Sequence, residues 1–338
     1  MAWQRILGHD ALVEGFRRVV HRGRLAHAYL FTGPAGVGKR LFAVELAKAL
    51  LCEKAKPDKL EACDQCPSCV QVEAGTHPDF YYAVRPPEAL EFPVSLMREL
   101  CQSFALKSAR GHGKVVLLDD ADDLNEEAAN CFLKTLEEPP PRSVLILIGS
   151  TPDRQLKTIV SRCQVIRFAP LAAEVVDQLL QQQGVEDAVL RARLVRLSGG
   201  SPGMARELSD PALWEFRHTL LEGLTQTPLP SVELGRQWMD FVEEAGKDSA
   251  AQRRRAQFVL RFVIDFLDDA LSVSMNAAPR HSEENERGGL ETLAKRLGPD
   301  RLLEAMERCL EADRQVDRRV QLVLILEALM DALGQKLH

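Results

Sequence analysis

The sequence lacks any long hydrophobic run and any surplus of positive charge. No stretch of about 18 consecutive apolar residues occurs in its 338 residues, so no segment is expected to cross a membrane. The first residues lead into an amphipathic pattern rather than an apolar stretch, which predicts no signal peptide and a cytoplasmic protein. The net charge of −6 argues against a protein that binds nucleic acid by itself. It leaves open a component of a larger DNA-handling assembly.

A third absence concerns one hydroxyl group in a glycine-rich loop. Residues 33–40 read GPAGVGKR, which satisfies the Gly-x4-Gly-Lys pattern of a phosphate-binding loop between an apolar run and a helical pattern. The glycines let backbone N–H groups approach phosphate oxygens, and the lysine reaches the terminal phosphates. The next residue is normally Ser or Thr, whose hydroxyl binds Mg²⁺, and here it is an arginine, which cannot ligate a cation. The predicted nucleotide-binding residues of this loop are Gly33, Gly36, Gly38, Lys39 and Arg40.

A second nucleotide signal follows the apolar run Val115–Leu118. Asp119 comes directly after this predicted strand, where a carboxylate can hold Mg²⁺ through water. Hydrolysing P-loop proteins usually have Glu at the next position, and this chain has Asp120. The missing methylene removes about 1.5 Å of reach, and a misplacement of about 1 Å can cost about a hundredfold in rate. The two weakened positions predict a nucleotide site without hydrolysis; the alternative is an acidic strand end without a nucleotide role.

Four of the eight cysteines follow the predicted helix after the loop, with the spacing Cys-x10-Cys-x2-Cys-x2-Cys. In a reducing compartment such a run indicates a metal more often than a disulfide, and four thiolates match tetrahedral Zn²⁺. The alternatives are loop cysteines that neighbour each other by chance and a zinc ribbon that contacts DNA. Nearby lysines are offset by acidic residues, which favours a structural zinc site. The predicted metal ligands are Cys52, Cys63, Cys66 and Cys69.

The order of apolar runs predicts an α/β protein followed by a helical part. Near-continuous apolar runs separated by helical sequence indicate a parallel sheet with helices on both faces. These runs lie at Ala28–Phe31, Phe80–Val84, Val115–Leu118 and Val144–Ile148. We predict a P-loop core at residues 1–169, which contains a four-cysteine module at 52–69, and a small helical lid at 170–211. Residues 212–338 are predicted to form an all-α domain for oligomerisation.

Two further motifs carry a resemblance to a known family. Residues 133–139 read LKTLEEP after the second nucleotide signal, and Ser161-Arg162-Cys163 follows. Over residues 1 to about 206 the chain resembles the clamp-loader branch of the AAA+ ATPases. The four-cysteine insert after the loop helix is similar to that of the bacterial tau/gamma and delta-prime subunits. The resemblance implies a AAA+ P-loop domain, a lid and a helical collar.

The resemblance also implies roles for individual residues. Arg162 matches the arginine finger, which acts in trans on the ATP of a neighbouring subunit and can be worth about 10³–10⁵ in rate. The alternative for Arg162 is a surface arginine near a helix end. The other matches are Ile6-Leu7-Gly8-His9 to the segment over adenine, Lys39 to the P-loop lysine, Asp119 to the Walker B aspartate, Ser150 and Thr151 to the sensor-1 region, and Arg206 to sensor 2.

The departures from the family pattern indicate which type of subunit the chain resembles. Tau/gamma subunits have Gly-Lys-Ser/Thr and Asp-Glu, whereas this chain has Gly-Lys-Arg and Asp-Asp and no long C-terminal extension. A defective site beside Ser-Arg-Cys resembles delta-prime, a subunit that supplies a finger without hydrolysing ATP. The implied partners are tau/gamma and delta subunits in a ring within the DNA polymerase III holoenzyme, a nucleotidyltransferase assembly. Through that assembly the chain would act on the sliding clamp and primed DNA in replication.

The cofactors and the alternatives follow from the same comparison. ATP or ADP is expected to bind weakly or without hydrolysis, Mg²⁺ is not expected to be needed, and Arg40 could neutralise phosphate oxygens in its place. One alternative is an active tau/gamma-type ATPase in which Asp120 positions the water. A small-molecule P-loop kinase or a stand-alone zinc-ribbon protein is a further alternative, but neither accounts for Ser161-Arg162-Cys163.

Overall fold

The computed structural model describes residues 2–55, 59–87, 89, 91–246, 248–282 and 286–337. The chain divides into two compact units, Met1–Ser209 and Asp210–His338. Among the described residues no helix has the length and apolar character that crossing a membrane requires. The two units are described separately below.

The first unit is built on a five-stranded parallel sheet in the order β2-β3-β4-β1-β5. Every position of β1, β3 and β4 is buried, as expected for central strands covered on both faces. Because β4 lies between β1 and β3, the carboxyl ends of these three strands meet at one edge. The strands are β1 Ala28–Thr32, β2 Phe80–Ala83, β3 Lys114–Leu118, β4 Ser143–Ile148 and β5 Gln164–Arg167. The predicted parallel sheet is confirmed.

The edge strand β5 was not predicted from the sequence. Its four residues, Gln164–Arg167, pair with β1 but are exposed or only half-buried. An edge strand needs apolar residues at few positions, so its sequence carries little of the pattern that marks a buried strand.

Helices cover both faces of the sheet. Alternate residues of a strand point to opposite faces, so Phe31 of β1 joins one core and Leu30 the other. Phe42 of α2 belongs to the first core, and Phe132 of α5 belongs to the second. The helices of this unit are α1 Asp10–His21, α2 Lys39–Leu51, α3 Pro67–Glu73, α4 Val94–Ala105, α5 Glu126–Glu137, α6 Lys157–Val160, α7 Ala173–Gln182, α8 Ala188–Ser198 and α9 Pro202–Glu207.

Within the described residues of the second unit, all regular secondary structure is helical. The long helix α12 buries Phe258, Phe262 and Phe266, and α13 packs along it. Helix α13 is interrupted at Gly298, which has a φ of 69° and is followed by Pro299. The helices are α10 Pro211–Thr225, α11 Ser231–Glu243, α12 Ser249–Ser274, α13 Arg287–Asp317 and α14 Leu322–Lys336. The predicted change from α/β to all-α structure is therefore observed, while the division of the first unit at residue 169 stays a prediction.

Candidate functional site

The loop between β1 and α2 has a backbone that only glycine fits at key positions. Gly33, Gly36 and Gly38 have φ values of 141°, 74° and 102°, in the region that side chains disfavour. A Cβ atom on Gly33 would lie 2.2 Å from the backbone oxygen of Phe168. A Cβ atom on Gly36 would lie 2.8 Å from Cα of Gly203. The loop is therefore held in one shape by close backbone neighbours on two sides.

Lys39 is the first residue of α2 and is buried, with 8% of its surface exposed. Its Nζ donates to the carbonyl oxygens of Gly33, at 2.5 Å, and Pro34, at 2.7 Å. Burial lowers the pKa of Lys39, and the nearby carboxylates of Asp122 and Asp119 oppose that effect. The loop thus carries a desolvated cation whose hydrogen bonds go to the carbonyl oxygens of the loop itself.

A cavity of about 530 Å³ lies beside this loop at the carboxyl edge of the sheet. The parallel sheet brings the ends of β1, β3 and β4 together there, as expected for ligand sites in open α/β sheets. The predicted residues that line it are Gly36, Gly38, Lys39, Arg40, Asp119, Asp120 and Ser150. Three other predicted residues lie outside this lining: Gly33, which is half-buried, and Thr151 and Arg206, which are exposed. The fold therefore brings most of the predicted loop and strand-end residues to one place.

Arg40 lies beside the strand-end carboxylate. Its Nη1 is 3.9 Å from Oδ2 of Asp119 and donates to Oη of Tyr82 at 3.4 Å. The Tyr82 hydroxyl donates in turn to Oδ2 of Asp119 at 3.4 Å. The hydrogen bond with Tyr82 raises the pKa of Arg40 further, so its charge is permanent. In hydrolysing P-loop proteins Mg²⁺ lies between the loop hydroxyl and this carboxylate. Here a guanidinium faces the carboxylate instead.

Three residues of this edge were missed by the sequence analysis. Asp122 accepts from the backbone N–H of Ser150 at 2.8 Å and from Nε2 of Gln155 at 2.6 Å, which ties the end of β4 to the turn after β3. Arg154 also lines the cavity. Tyr82 of β2 is the third, and its hydroxyl contacts both Arg40 and Asp119. The acidic run after β3 marked the region of Asp122, but Tyr82 reads only as part of an apolar strand.

The predicted arginine finger lies outside the lining of the chain's own cavity. Arg162 follows α6, and its Nε donates to Oε1 of Glu137, the last residue of α5, at 2.9 Å. Its Nη2 donates to the same oxygen, and its Nη1 donates to the carbonyl oxygen of Thr158 at 2.9 Å. The Arg162 side chain is 33% exposed and that of Glu137 is 50% exposed. A half-exposed guanidinium therefore faces one exchangeable carboxylate.

The four predicted metal ligands form one cluster. All eight cysteines are free thiols, and the sulfurs of these four lie within 4.8 Å of one another. Sγ of Cys52 and Sγ of Cys66 are 3.9 Å apart. Tetrahedral zinc with Zn–S bonds of about 2.3 Å places its sulfurs about 3.8 Å apart. The donor set and its spacing therefore fit a closed structural zinc site formed by Cys52, Cys63, Cys66 and Cys69.

Backbone N–H groups point at the sulfurs of this cluster. The N–H of Cys66 donates to Sγ of Cys63 at 3.3 Å, and the N–H of Cys69 donates to Sγ of Cys66 at 3.4 Å. Burial opposes ionisation of Cys63, but hydrogen bonds from the N–H groups of Gln65 and Cys66 prevail and lower its pKa to about 6. Burial raises the pKa of Cys52 and Cys69. The thiols of the cluster thus differ in acidity. Binding of a metal would displace the protons of the buried thiols, Cys52 and Cys69.

The N-terminal segment matched to the adenine side reaches the phosphate loop. His9 is buried, and its Nε2–H donates to the carbonyl oxygen of Val37 at 2.8 Å. The ring of His9 meets the ring of Phe168 edge-on, with centroids 4.9 Å apart. Gly8 has a φ of 77°, and a Cβ there would lie 2.8 Å from Cδ2 of Leu171. The segment is thus fixed against the loop from the side of α1.

The sheet order, the glycine loop after β1 and the acidic end of β3 define a AAA+ P-loop fold with a helical C-terminal part. A family model described as DNA polymerase III, delta subunit, matches residues 8–172. The chain is 42% identical over 208 residues to the delta-prime subunit of DNA polymerase III from Pseudomonas aeruginosa, covering 60% of this chain and 62% of that relative. It therefore spans less than two thirds of that relative's length.

A longer match to a second relative supports the same family. The delta-prime subunit of DNA polymerase III from Escherichia coli is 32% identical over 282 residues, covering 83% of this chain and 80% of that relative. The chain therefore belongs to the delta-prime subunit family of DNA polymerase III. A solved gamma-subunit-related protein from Thermotoga maritima has a TM-score of 0.44 and 14% identity, covering 96% of this chain and 99% of that one.

Proposed function

We propose that this chain is a non-hydrolysing clamp-loader subunit of the DNA polymerase III holoenzyme. The observation that carries the proposal is the guanidinium of Arg40, 3.9 Å from the Asp119 carboxylate. Hydrolysis in P-loop proteins depends on a cation at that carboxylate and on a residue that orients the attacking water. In this chain Arg40 faces the carboxylate where the cation would bind, and the short Asp120 stands where the residue that orients the water is expected.

Nucleotide binding without turnover is compatible with this site. Lys39 supplies a cation at the loop, and the permanent charge of Arg40 offsets phosphate oxygens as Mg²⁺ would. We assign nucleotide contacts to Gly33, Gly36, Gly38, Lys39, Arg40, Asp119, Asp120, Thr151 and Arg206, with the last two acting at the sensor positions. The nucleotide is ATP or ADP, held weakly and not hydrolysed.

Arg162 is proposed to act on a neighbouring subunit. It lies outside the lining of its own cavity and has a single carboxylate partner among its side-chain contacts within the described chain. A guanidinium offered to the γ-phosphate of the next subunit offsets charge in the transition state. Relatives that match this chain include the tau subunit of DNA polymerase III from Escherichia coli, at 32% identity over 217 residues. We infer that a tau/gamma-type subunit receives the finger.

The remaining parts complete a cytoplasmic, hetero-oligomeric assembly. Zinc at the four cysteines is proposed to be structural, because the cluster is closed by four protein ligands. The helical residues 212–338 are proposed to form the collar that joins this chain to tau/gamma and delta subunits. The assembled ring would open the sliding clamp and load it on primed DNA.

The experiment that tests this proposal measures ATP turnover by the purified chain and by the loader assembled with tau/gamma and delta. We expect no turnover by the isolated chain, with Lys39→Ala giving the same background. We expect Arg162→Ala to lower turnover in the assembly while the assembly still forms, which size-exclusion chromatography checks. Turnover by the isolated chain that Lys39→Ala abolishes would favour the tau/gamma-type ATPase. Unchanged turnover of the assembled Arg162→Ala variant would refute the finger.

A further inference from the structure

We propose that metal in the four-cysteine module positions the N-terminal arm, defined as residues 2–9, on the phosphate loop. The inference rests on the zinc site proposed above and is independent of ATP hydrolysis. According to this inference, the module positions residues at the phosphate loop and does not only stabilise its own segment. Trp3 and Arg5 are the positioning residues.

The first contact joins the arm to the loop between two metal ligands. Nε1 of Trp3 donates to the carbonyl oxygen of Leu60 at 2.7 Å, and both residues are buried. Leu60 lies between Cys52 and Cys63 in the chain. The position of this acceptor is therefore set by the backbone that the two ligands hold.

The second contact joins the arm to α3, the helix that carries the last ligand, Cys69. Nη1 of Arg5 donates to Oε1 of Glu73, in α3, at 2.7 Å. Nζ of Lys48 lies 3.1 Å from the other oxygen of Glu73 and 2.7 Å from Oδ1 of Asp64. Lys48 is buried on α2, so this carboxylate is shared between the arm and the loop helix. The module, the arm and α2 thus share one charge cluster.

The far end of the arm reaches the phosphate loop, as described above, through the hydrogen bond from His9 to Val37. Helix α2 connects the same two places, because it begins at Lys39 in the loop and ends at Leu51, next to Cys52. The arm and α2 therefore form two parallel links between the cysteine cluster and the nucleotide loop.

Metal is the element that fixes the module end of both links. The described residues between α2 and α3 form only turns, bends and irregular backbone, and α3 has seven residues. Such a segment has little regular hydrogen bonding of its own, so cross-linking by a bound ion supplies its order. Without the ion, the Leu60 carbonyl is no longer held in register with Trp3. The arm is then released from the module, and this weakens the hold that its far end, His9, has on the loop.

Hydrogen exchange on the full chain tests the inference directly. We compare zinc-loaded protein with protein stripped by a chelator and follow the amides of residues 3–13 and 33–40. Loss of two hydrogen-bonded anchors is expected to speed exchange in these segments by about tenfold or more. The buried amides of β3 and β4 serve as the internal reference and are expected to keep their protection.

Point variants separate the metal from the contacts. Cys63→Ser removes one ligand and is expected to release the arm, whereas Cys131→Ser, on α5 outside the cluster, makes the same chemical change and is expected to have no effect. Trp3→Phe keeps an aromatic ring at the position where the Trp3 ring packs 5.1 Å from that of Phe42, but deletes the N–H donor. It is expected to loosen the arm while elemental analysis still finds one zinc ion per chain.

The outcomes distinguish this inference from the zinc proposal. If the purified chain neither contains nor takes up zinc, the metal site is wrong and the coupling falls with it. If zinc binds but its removal leaves exchange in the arm unchanged, the site stands and the coupling is overturned. If stripping accelerates exchange throughout β3 and β4, the metal stabilises the whole fold, and the specific positioning role is also overturned.

Discussion

Two arginines of this chain, Arg40 and Arg162, stand in contrasting surroundings. Arg40 lines the cavity beside the glycine-rich loop and shares an aspartate, Asp119, with a tyrosine hydroxyl. Arg162 lies outside that lining and faces the glutamate Glu137 at the end of a helix. Asp119 is mostly buried, with 14% of its side chain exposed, whereas Glu137 is 50% exposed.

The difference lies in the two carboxylates and not in the arginines, because the side chain of Arg40 is itself 67% exposed and that of Arg162 is 33% exposed. A charge pair at a solvent-exposed position contributes about 0–1 kcal/mol and is easily replaced by a better partner. The pair of Arg162 with Glu137 is of this kind. Asp119, by contrast, is held at the end of a central strand and can only face the cavity. The same residue type therefore faces a mostly buried aspartate in one region and an exposed glutamate, which another molecule can replace, in the other.

The largest expected effect tests whether Arg162 acts through the planar, bidentate geometry of its guanidinium or only through its positive charge. Arg162→Lys keeps the charge but replaces a planar bidentate donor with a point charge, so we expect about a hundredfold slower phosphate release at the neighbouring site. Single-turnover phosphate release by the assembled loader measures it. Arg98→Lys, a surface arginine on α4 paired with Glu127, is the matched control and should leave the rate unchanged. A rate equal to that of the wild type in Arg162→Lys would show that only charge matters.

The next effect tests whether Arg40 replaces Mg²⁺. We expect ATP affinity of the wild-type chain to be the same with Mg²⁺ and with EDTA. Arg40→Thr restores the loop hydroxyl and exposes the Asp119 carboxylate, so binding should then depend on Mg²⁺ by about tenfold or more. Calorimetric titration with a non-hydrolysable ATP analogue measures both.

The control for that experiment is Arg40→Gln, which removes the charge without offering a hydroxyl of the same geometry. We expect it to bind the analogue weakly under both conditions. Strong Mg²⁺ dependence in the wild type would contradict the idea that the guanidinium takes the place of the cation.

Much of this site could be predicted from local sequence. The phosphate loop is recognisable because its three glycines, which adopt positive φ values, lie within a stretch of eight residues. Asp119 is recognisable because it directly follows an apolar strand. The cysteine cluster is recognisable for the same reason, since three of its ligands lie within seven residues. Local spacing thus carried these predictions.

The contacts between distant segments could not be predicted in the same way. Tyr82 reaches Arg40 because β2 is a neighbour of β3 in the sheet, and strand order is not written in a single strand. The pairing of Arg162 with Glu137 likewise depends on how α5 packs beside the residues after α6. Strand β5 was missed because an edge strand has little apolar character. Tertiary arrangement decides all three.

A smaller effect concerns a second cation of the cavity, Lys39. Burial lowers its pKa below the ordinary lysine value of about 10.4, so the ammonium loses its proton earlier as pH rises. The charged form binds phosphate, and affinity for the ATP analogue should therefore fall severalfold on approaching pH 10. Burial raises the pKa of Tyr82, so the tyrosine keeps its proton over the same range. Lys39→Arg does not titrate there and should give a flat profile; a wild-type profile that is equally flat would contradict this assignment.

The smallest effect concerns the partner that holds Arg162. Glu137→Gln removes the carboxylate that competes with an incoming γ-phosphate, and an exposed pair of this kind contributes about 0.5 kcal/mol. We therefore expect neighbour-site turnover in the assembled loader to rise about twofold, since about 1.4 kcal/mol corresponds to a factor of ten. Glu138→Gln, the next residue, makes the same change in charge and should leave turnover unchanged. A fall in turnover specific to Glu137→Gln would mean that the carboxylate aims the guanidinium instead of competing for it, and a thermal melt identical to that of the wild type would exclude unfolding as the cause.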